Sequence, residues 1–485
     1  MAATDAEQQP LLRQISREHG KHDEVILDFE PLDPEDPRNW SEGFKWCIVL
    51  LLACMAFTVT LTCIGVVPIA SRIVEDLDRH SSSSTTSALL VTIWELGEAA
   101  GPLLIAPLSE LLGRYPVMNG CNVGFIIWTL VAASSQSSKI FIAARMLTGL
   151  SVAANVLNPA IIGDMFESDK RGSAMSLIML APLIGGAIGP AISGAIAQSL
   201  GWRMVLLIAA GIAILCELLF LTCFRETYKL AILRRRIKRI QQESGEFENA
   251  KAVDSHESVM KLWHAITRPF AVLFGSSVLM LLSIFASIAF SFFYVMCISL
   301  PDVLLAEYDF TPAQAGTAFM SFSAGSFLCV MVCNFGLDRI YIKLRGSDKG
   351  KPEYRLPLTI LGGFLLPFAF AAYGWIAELR LPVPLLLVSV ALLGFSLLLS
   401  MVPIQAYIVD AFGLYSASAM TGVIVTRCLA STFLPLCTGP LKDRFGYGWG
   451  FTCLSALSLS LAVIPLLILR YGEKWRQRSE FSKDD

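Results

Sequence analysis

Phe44-Lys45-Trp46-Cys47-Ile48-Val49-Leu50-Leu51-Leu52-Ala53-Cys54-Met55-Ala56-Phe57-Thr58-Val59-Thr60-Leu61-Thr62-Cys63-Ile64-Gly65-Val66-Val67 carries a single charge, Lys45, near its start. A helix needs about 20 mainly apolar residues to cross the hydrocarbon core of a bilayer, and this stretch supplies them. Eleven more follow, at approximately 87–107, 116–134, 139–162, 173–199, 202–223, 270–299, 313–336, 356–377, 382–408, 415–440 and 448–470. They are too long for barrel strands, so helices are the only way to satisfy their backbone groups in lipid.

The whole chain agrees with that stretch. Residues of the AVILMFWYC set make up 54% of its 485 residues and charged residues 16%, against about 45–50% (glycine included) and about 25% in soluble proteins. A soluble enzyme, a disordered chain, a coiled coil and a collagen-like rod are excluded. The net charge of −2 leaves no electrostatic footprint for nucleic acid. All 12 cysteines fall in or beside apolar stretches and read as small apolar side chains. Cys329 and Cys333 sit at i, i+4 but have no nearby histidine, so no metal site is expected. Residues before Phe44 are polar, so no cleavable leader is expected and the first apolar stretch serves as insertion signal.

The expected fold class is an all-α membrane protein, with twelve transmembrane helices in two six-helix bundles related by pseudo-twofold symmetry. The expected organisation is a cytoplasmic tail 1–43, a bundle 44–223, a basic cytoplasmic linker 224–269, a second bundle 270–470 and a cytoplasmic tail 471–485. Positive charge sets this orientation: 29 of the 38 Lys and Arg fall on the side of the tails and linker, and 7 on the other. The sequon at Asn39 then faces the cytoplasm and carries no glycan. In the linker, Arg234, Arg235, Arg236, Lys238 and Arg239 interleave with Ile232, Leu233, Ile237 and Ile240. That pattern reads either as an amphipathic helix on the inner leaflet or as a topology-setting cluster. Glu7 stands before Leu11 and Leu12 with the spacing of a dileucine sorting signal.

Two six-span halves suggest a duplicated transporter unit, and the motifs narrow it. Pro107-Leu108-Ser109-Glu110-Leu111-Leu112-Gly113-Arg114 resembles the loop motif G-x-L-(a)-D-R-x-G-R of the major facilitator superfamily, with Glu110 for Asp and Leu111 for Arg. A degraded copy stands at Gly336-Leu337-Asp338-Arg339. Arg145-x-x-x-Gly149-x-x-x-Ala153 is similar to the family's span-4 motif. Gly185-x-x-x-Gly189-Pro190-x-x-Ser193-Gly194 resembles the span-5 motif of proton-coupled antiporters. Asp33-Pro34-Glu35-Asp36-Pro37-Arg38-Asn39-Trp40-Ser41, Glu353-Tyr354-Arg355-Leu356-Pro357 and Asp410 resemble the fungal twelve-span drug:proton antiporters. This resemblance covers about 44–470.

Ionisable residues inside spans are costly, hence functional candidates. Glu95 and Glu98 lie one turn apart on a shared face, where two carboxylates repel and one can carry a proton near neutral pH; their alternative is contact with water at the outer mouth. Glu217 is a further proton candidate or a packing residue. Arg145 needs a carboxylate, carbonyls or substrate, since an arginine does not neutralise. The resemblance links it to proton exchange; it can also bind a substrate carboxylate or snorkel outward. Arg427 has the same ambiguity.

In the resembling fold, Gly185, Gly189, Pro190 and Gly194 pack against the other half as an outer seal. Spans 1, 4, 7 and 10 line the cavity, which makes Asn155, Asn158, Phe290, Phe293, Tyr294, Gln405 and Tyr407 cavity candidates along with Arg427. Their mainly apolar character suits a small amphipathic molecule rather than a sugar. The inner gate is expected at Glu110, against the first turn of span 11, and at Arg114 with Asp164. A carboxylate at that helix start is favourable by about 0.3–1 kcal/mol.

The function implied is secondary active transport, as proton-coupled efflux of a drug, toxin or secondary metabolite by alternating access. An organic-acid exporter and a non-transporting membrane sensor are the alternatives. No P-loop sequence and no catalytic constellation is present, so neither an enzyme nor a cofactor is expected. The expected partners are a small-molecule substrate, protons and the lipid bilayer, without nucleic acid, for a monomer in the cell membrane or in a vacuolar or endosomal membrane.

Overall fold

The computed structural model describes residue 29 and residues 33–78, 84–244, 255–345 and 350–482. Glu7, Leu11 and Leu12 lie outside the described residues. The helices in chain order are α1 (Glu42–Ile64), α2 (Ala70–Leu77), α3 (Ser84–Leu112), α4 (Arg114–Ser134), α5 (Ser138–Leu150), α6 (Ala154–Met165), α7 (Ser168–Leu200), α8 (Trp202–Cys223) and α9 (Lys229–Ser244). They continue with α10 (Ser255–Gly275), α11 (Ser277–Glu307), α12 (Pro312–Arg345), α13 (Pro357–Glu378), α14 (Val383–Phe412), α15 (Ser416–Phe433), α16 (Thr438–Leu461) and α17 (Val463–Arg476). No strand occurs among the described residues.

Ten stretches are long and apolar enough to cross a membrane among the described residues. The fold is an all-helical membrane bundle. The apolar stretch 139–162 is interrupted: α5 ends at Leu150, Ser151 returns its N–H to Leu147 and Thr148, and α6 starts at Ala154. The run Ser416–Arg476 covers the last two expected spans and kinks at Gly446, whose φ of 70° is open to glycine at little cost. The stretch expected to begin at 270 begins instead at Ser277, because the Ser276 hydroxyl accepts the Leu279 N–H and starts a new helix.

Inside α1 the hydroxyls of Thr58, Thr60 and Thr62 donate to the carbonyls of Cys54, Ala56 and Thr58. Polar side chains on an apolar helix are thereby satisfied without leaving it. Small residues set the closest crossings, as they do between helices in lipid. A Cβ on Gly97 would overlap the Met146 carbonyl, and one on Gly149 the Trp94 carbonyl, so α3 and α5 touch backbone to backbone. The second half repeats the device: Gly325 abuts Ala391 and Gly394 abuts Phe322 where α12 crosses α14.

The basic helix α9 lies on protein. Ala231 and Leu233 are buried, Arg234 donates to the Leu111 carbonyl at 3.4 Å, Arg235 stands 3.6 Å from Glu226, and Arg236 pairs with Asp33 at 2.6 Å. The side chains of Ile237, Lys238, Arg239 and Ile240 lie outside the described residues. The Glu35 amide and the Arg236 guanidinium together hold the Asp33 carboxyl below the ordinary aspartate range.

Candidate functional site

The Gly97–Gly149 crossing brings Trp94, Glu95 and Glu98 on α3 close to Arg145 on α5. Arg145 is 1% exposed. It donates to the Thr62 carbonyl at 2.9 Å and the Cys63 carbonyl at 3.0 Å, and its guanidinium sits 4.5 Å from the centre of the Trp94 ring. Those carbonyls are among the four that a helix end leaves unpaired, and the C-terminal dipole of α1 favours a cation there. Of the roles open to Arg145 in the sequence, the structure realises the carbonyl one. Outward snorkelling does not occur, because the side chain is enclosed, and both terminal nitrogens are already engaged.

The two carboxylates do not face each other bare. Tyr294 on α11 donates its hydroxyl to Glu95 Oε1 at 2.6 Å, while Glu95 Oε2 is buried without a hydrogen bond. Glu98 accepts the Trp94 indole N–H at 3.1 Å and lies 4.0 Å from Nη2 of Arg427 on α15. The Arg427 guanidinium sits 4.2 Å from the centre of the Phe290 ring, and its Nε is buried without a partner. One half of the molecule thus contributes Glu95 and Glu98, and the other Tyr294, Phe290 and Arg427. Phe290, Phe293 and Tyr294 share one face of α11, with Phe293 against Phe322 of α12 at 4.9 Å between ring centres.

Of the other expected cavity residues, Tyr407 falls elsewhere. Gln405 is exposed and Tyr407 fully buried, packed with Val272, Leu282 and Val423 inside the second half. Two residues apart on a helix means opposite faces, so the pair does not line one cavity and Tyr407 is a core residue. Asn158 is 1% exposed with its Oδ1 unpaired; the side chain of Asn155 lies outside the described residues. Glu217 on α8 accepts from Asn122 of α4 at 2.8 Å, within the first half and apart from the central layer.

At the end away from the linker, the span-5 motif divides its work. Gly185 and Gly189 face Phe57 and Leu61 of α1, within their own half. Only the far end of the motif reaches the other half: a Cβ on Gly194 would overlap the Pro312 carbonyl, and one on Gly316 the Pro190 carbonyl. The expectation that the whole motif packs against the second half is corrected to Pro190 and Gly194. At this end α7 and α12 are in backbone contact.

At the linker end, Arg114 Nε lies 3.4 Å from Asp164 Oδ2, which also accepts the Thr227 hydroxyl at 3.3 Å. Arg114 further donates to the Ser109 hydroxyl and covers the Tyr228 ring at 4.8 Å. Glu110 is exposed and has no hydrogen-bond partner among the described residues, so its expected seat on the first turn of α15 is not formed in this structure. A residue outside the sequence reading organises the corner. Glu226 accepts the backbone N–H groups of Arg114 at 2.8 Å, Tyr115 at 3.3 Å, Thr227 at 3.1 Å and Tyr228 at 3.0 Å. It fills the space a Cβ on Gly113 would need, and Gly113 has φ of 103°. No group of three His, Cys, Asp or Glu among the described residues is placed to hold a metal ion.

The profile of the Major Facilitator Superfamily matches residues 47–427. The efflux pump radE of Floropilus chiversii is 32% identical over 470 residues, covering 95% of this chain and 86% of that protein. The MFS transporter cpaT of Aspergillus oryzae is 32% identical over 458 residues, covering 93% and 91%. The chain belongs to the Major Facilitator Superfamily. Among solved facilitators, a D-xylose–proton symporter superposes with a TM-score of 0.65 at 17% identity, covering 88% of this chain and 97% of that one. The human organic anion transporter MFSD10 superposes at 0.58 and 20%, covering 89% and 100%. As a facilitator the chain is a multi-pass membrane transporter. Its central layer lies where its two halves meet.

Proposed function

We propose that this facilitator exports small amphipathic compounds in exchange for protons, with both tails and the 224–269 linker in the cytoplasm. The observation that carries the reading is the Tyr294–Glu95 hydrogen bond between the halves. An ionised carboxylate accepts a hydrogen bond about twice as strongly as a neutral group, so Glu95 and Glu98 hold the second half through Tyr294 and Arg427 while ionised. Protonation weakens that hold. The same groups that take up the proton therefore bias the rocking of one half against the other. Arg145 sits beside them as a fixed cation, and Cys63 and Cys428 complete the titratable neighbours. The names of the fungal relatives, an efflux pump among them, support export.

At the end away from the linker, Gly194 and Gly316 serve as the seal. At the linker end, Arg114 and Asp164 hold the first half in shape, and Glu110 is free to engage α15 when that side closes. An organic-acid exporter retains one accessible anchor in this geometry, Arg427, since Arg145 is enclosed and both its terminal nitrogens are held by carbonyls.

The test is uptake into proteoliposomes of three fluorescent amphipathic probes: neutral Nile red, cationic rhodamine 6G and anionic fluorescein. Accumulation of at least one that follows an imposed pH gradient, and stops when nigericin collapses it, is expected. Accumulation of none, or gradient-independent movement of all three, would sink proton-coupled export.

A further inference from the structure

The central layer contains a cation that is poorly held. Arg427 reaches Glu98 only at 4.0 Å, beyond hydrogen-bond length, its Nη2 donates to the soft Cys428 sulfur at 3.9 Å, and its buried Nε has no partner among the described residues. Its side chain is 23% exposed, whereas the Glu98 side chain is 14% exposed and Arg145 as a whole 1%. What surrounds its guanidinium is an aromatic face and acids: the Phe290 ring at 4.2 Å, Glu98, and Glu95 one turn away with Oε2 buried and unpaired. A ring face beside carboxylates is the general recognition chemistry for organic cations. We propose that Phe290, Glu98 and Glu95 form a cation seat that Arg427 fills in the substrate-free protein, and that the exported compound carries a protonated or quaternary nitrogen that takes this seat from the guanidinium.

This deepens the export reading and rests on it for the word "exported"; the seat itself does not depend on proton coupling. Three points favour a cation over an anion. An anion drawn to Arg427 would have to lie among two carboxylates. The second arginine of the layer keeps both terminal nitrogens on the Thr62 and Cys63 carbonyls, and its remaining Nε is enclosed in a residue only 1% exposed, out of an anion's reach. A substrate cation, by contrast, meets Glu95 Oε2, which accepts no hydrogen bond among the described residues, with the Cys428 thiol as the neighbour beside that carboxylate. Phe290 continues into Phe293 at 5.8 Å and Phe322 at 4.9 Å beyond it, rings packed against the core that hold the Phe290 face in place. A proton on Glu95 or Glu98 and a monocation in the seat each add one positive charge to the same layer, so the two compete.

The experiment uses two probes of the same shape and opposite charge, tetraphenylphosphonium and tetraphenylborate. Each is titrated at pH 7.5 into purified full-length protein in nanodiscs, without any gradient. The phosphonium is expected to bind the wild type. Removing the resident guanidinium in Arg427→Ala should tighten it by about tenfold, the scale of one cation–ring contact. Glu98→Gln and Phe290→Leu should each weaken it by a similar factor, and Arg427→Lys should stay within about threefold of wild type. Size-exclusion profiles report folding; if Arg427→Ala does not fold, the Phe290→Leu and Glu98→Gln losses carry the test. Tighter binding of the borate in the wild type, lost in Arg427→Ala, would overturn the proposal and make Arg427 an anion anchor. Binding of neither ion by wild type or Arg427→Ala would also overturn it. Because no gradient is present, phosphonium binding without gradient-driven transport would keep the seat and remove the proton coupling instead.

Discussion

Tyr294 and Glu95 are 199 residues apart in sequence and 2.6 Å apart in space, joined by a hydroxyl-to-carboxylate bond across the two halves of the bundle. The Cys63 thiol stands beside the Tyr294 hydroxyl and the Cys428 thiol beside the Glu95 carboxylate, one from each half. In the exchange proposed above, breaking the Tyr294–Glu95 bond accompanies the change from one arrangement of the halves to another. The remaining contacts around it fall into place as supports: Trp94 steadies Glu98, and Arg145 ties the end of α1 to the Trp94 ring.

The Arg114–Asp164 pair should be separable from a mere insertion signal by charge reversal. Both side chains are mostly buried, at 11% and 17% exposure, and breaking such a pair costs about 3–5 kcal/mol. Arg114→Asp is expected to abolish transport while the protein still reaches the membrane. Adding Asp164→Arg should restore part of it, and only part, because Ser109 and Tyr228 also hold Arg114. Vesicle transport alongside surface expression decides; a double variant no better than the worse single removes the pair from the mechanism.

Gly194 and Gly316 leave no room for a side chain where α7 meets α12. Gly194→Leu is expected to push the helices apart, by an overpacking penalty of about 1–3 kcal/mol, and to lower transport at normal expression. Cysteines introduced at Ala191 and Ala313 should cross-link readily in the wild-type background and poorly with Gly194→Leu. Equal cross-linking in both would show that the contact tolerates bulk.

Glu226 and Gly113 act as one corner. Glu226→Ala leaves several buried N–H groups without an acceptor, and Gly113→Ala forces a side chain into φ of 103° against Glu226. Each is expected to cost about 2–4 kcal/mol. The readout is the temperature at which the monomer peak is lost on size exclusion. Glu226→Gln, which keeps an acceptor oxygen, should lie between Glu226→Ala and wild type; a full loss with Gln would assign the role to charge alone.

Asp33 anchors the stretch 33–41 to α9 through Arg236. Its carboxyl is held low by the Glu35 amide first and Arg236 second. Docking is therefore fully supported above the ordinary aspartate value of about 3.9 and lost only as pH falls through the lower folded value. At pH 7 the segment should be protected from proteases in the wild type and cleaved faster in Asp33→Asn. Equal cleavage rates would show that the ion pair contributes nothing to docking.

The helical membrane class, most of the apolar stretches and the family were legible because hydropathy and loop motifs are local features of a sequence, whereas the break inside 139–162 was not. Phe290, Phe293 and Tyr294 were legible only through the resemblance, which places span 7 at the cavity; their i, i+3, i+4 spacing is what puts them on one face. Tyr407 was misplaced because a helix rich in apolar residues all round gives no phase, and Gln405 two positions away could not share its face. Arg145's partners were illegible since backbone carbonyls carry no sequence signature. Glu226 escaped notice because it lies just past a span, where a polar residue is unremarkable until the fold brings the start of α4 beside it. The pairing of Glu95 with Tyr294 required the docking of the two halves, which no single stretch encodes.

The most direct measurement compares gradient-driven transport with exchange in the same proteoliposomes, for wild type, Glu95→Gln, Glu98→Gln and Tyr294→Phe. Whichever probe the wild type accumulates is used for both assays. If the carboxylates couple protons to the movement of the halves, Glu95→Gln should keep substrate exchange at saturating probe, where weaker binding at the seat does not limit the rate. It should also lose accumulation under a pH gradient by about tenfold or more. Tyr294→Phe should weaken coupling in the same direction but less, since the carboxylate remains. Undiminished gradient-driven accumulation in Glu95→Gln, Glu98→Gln and their double variant would contradict the coupling and leave the central layer a structural contact between the halves.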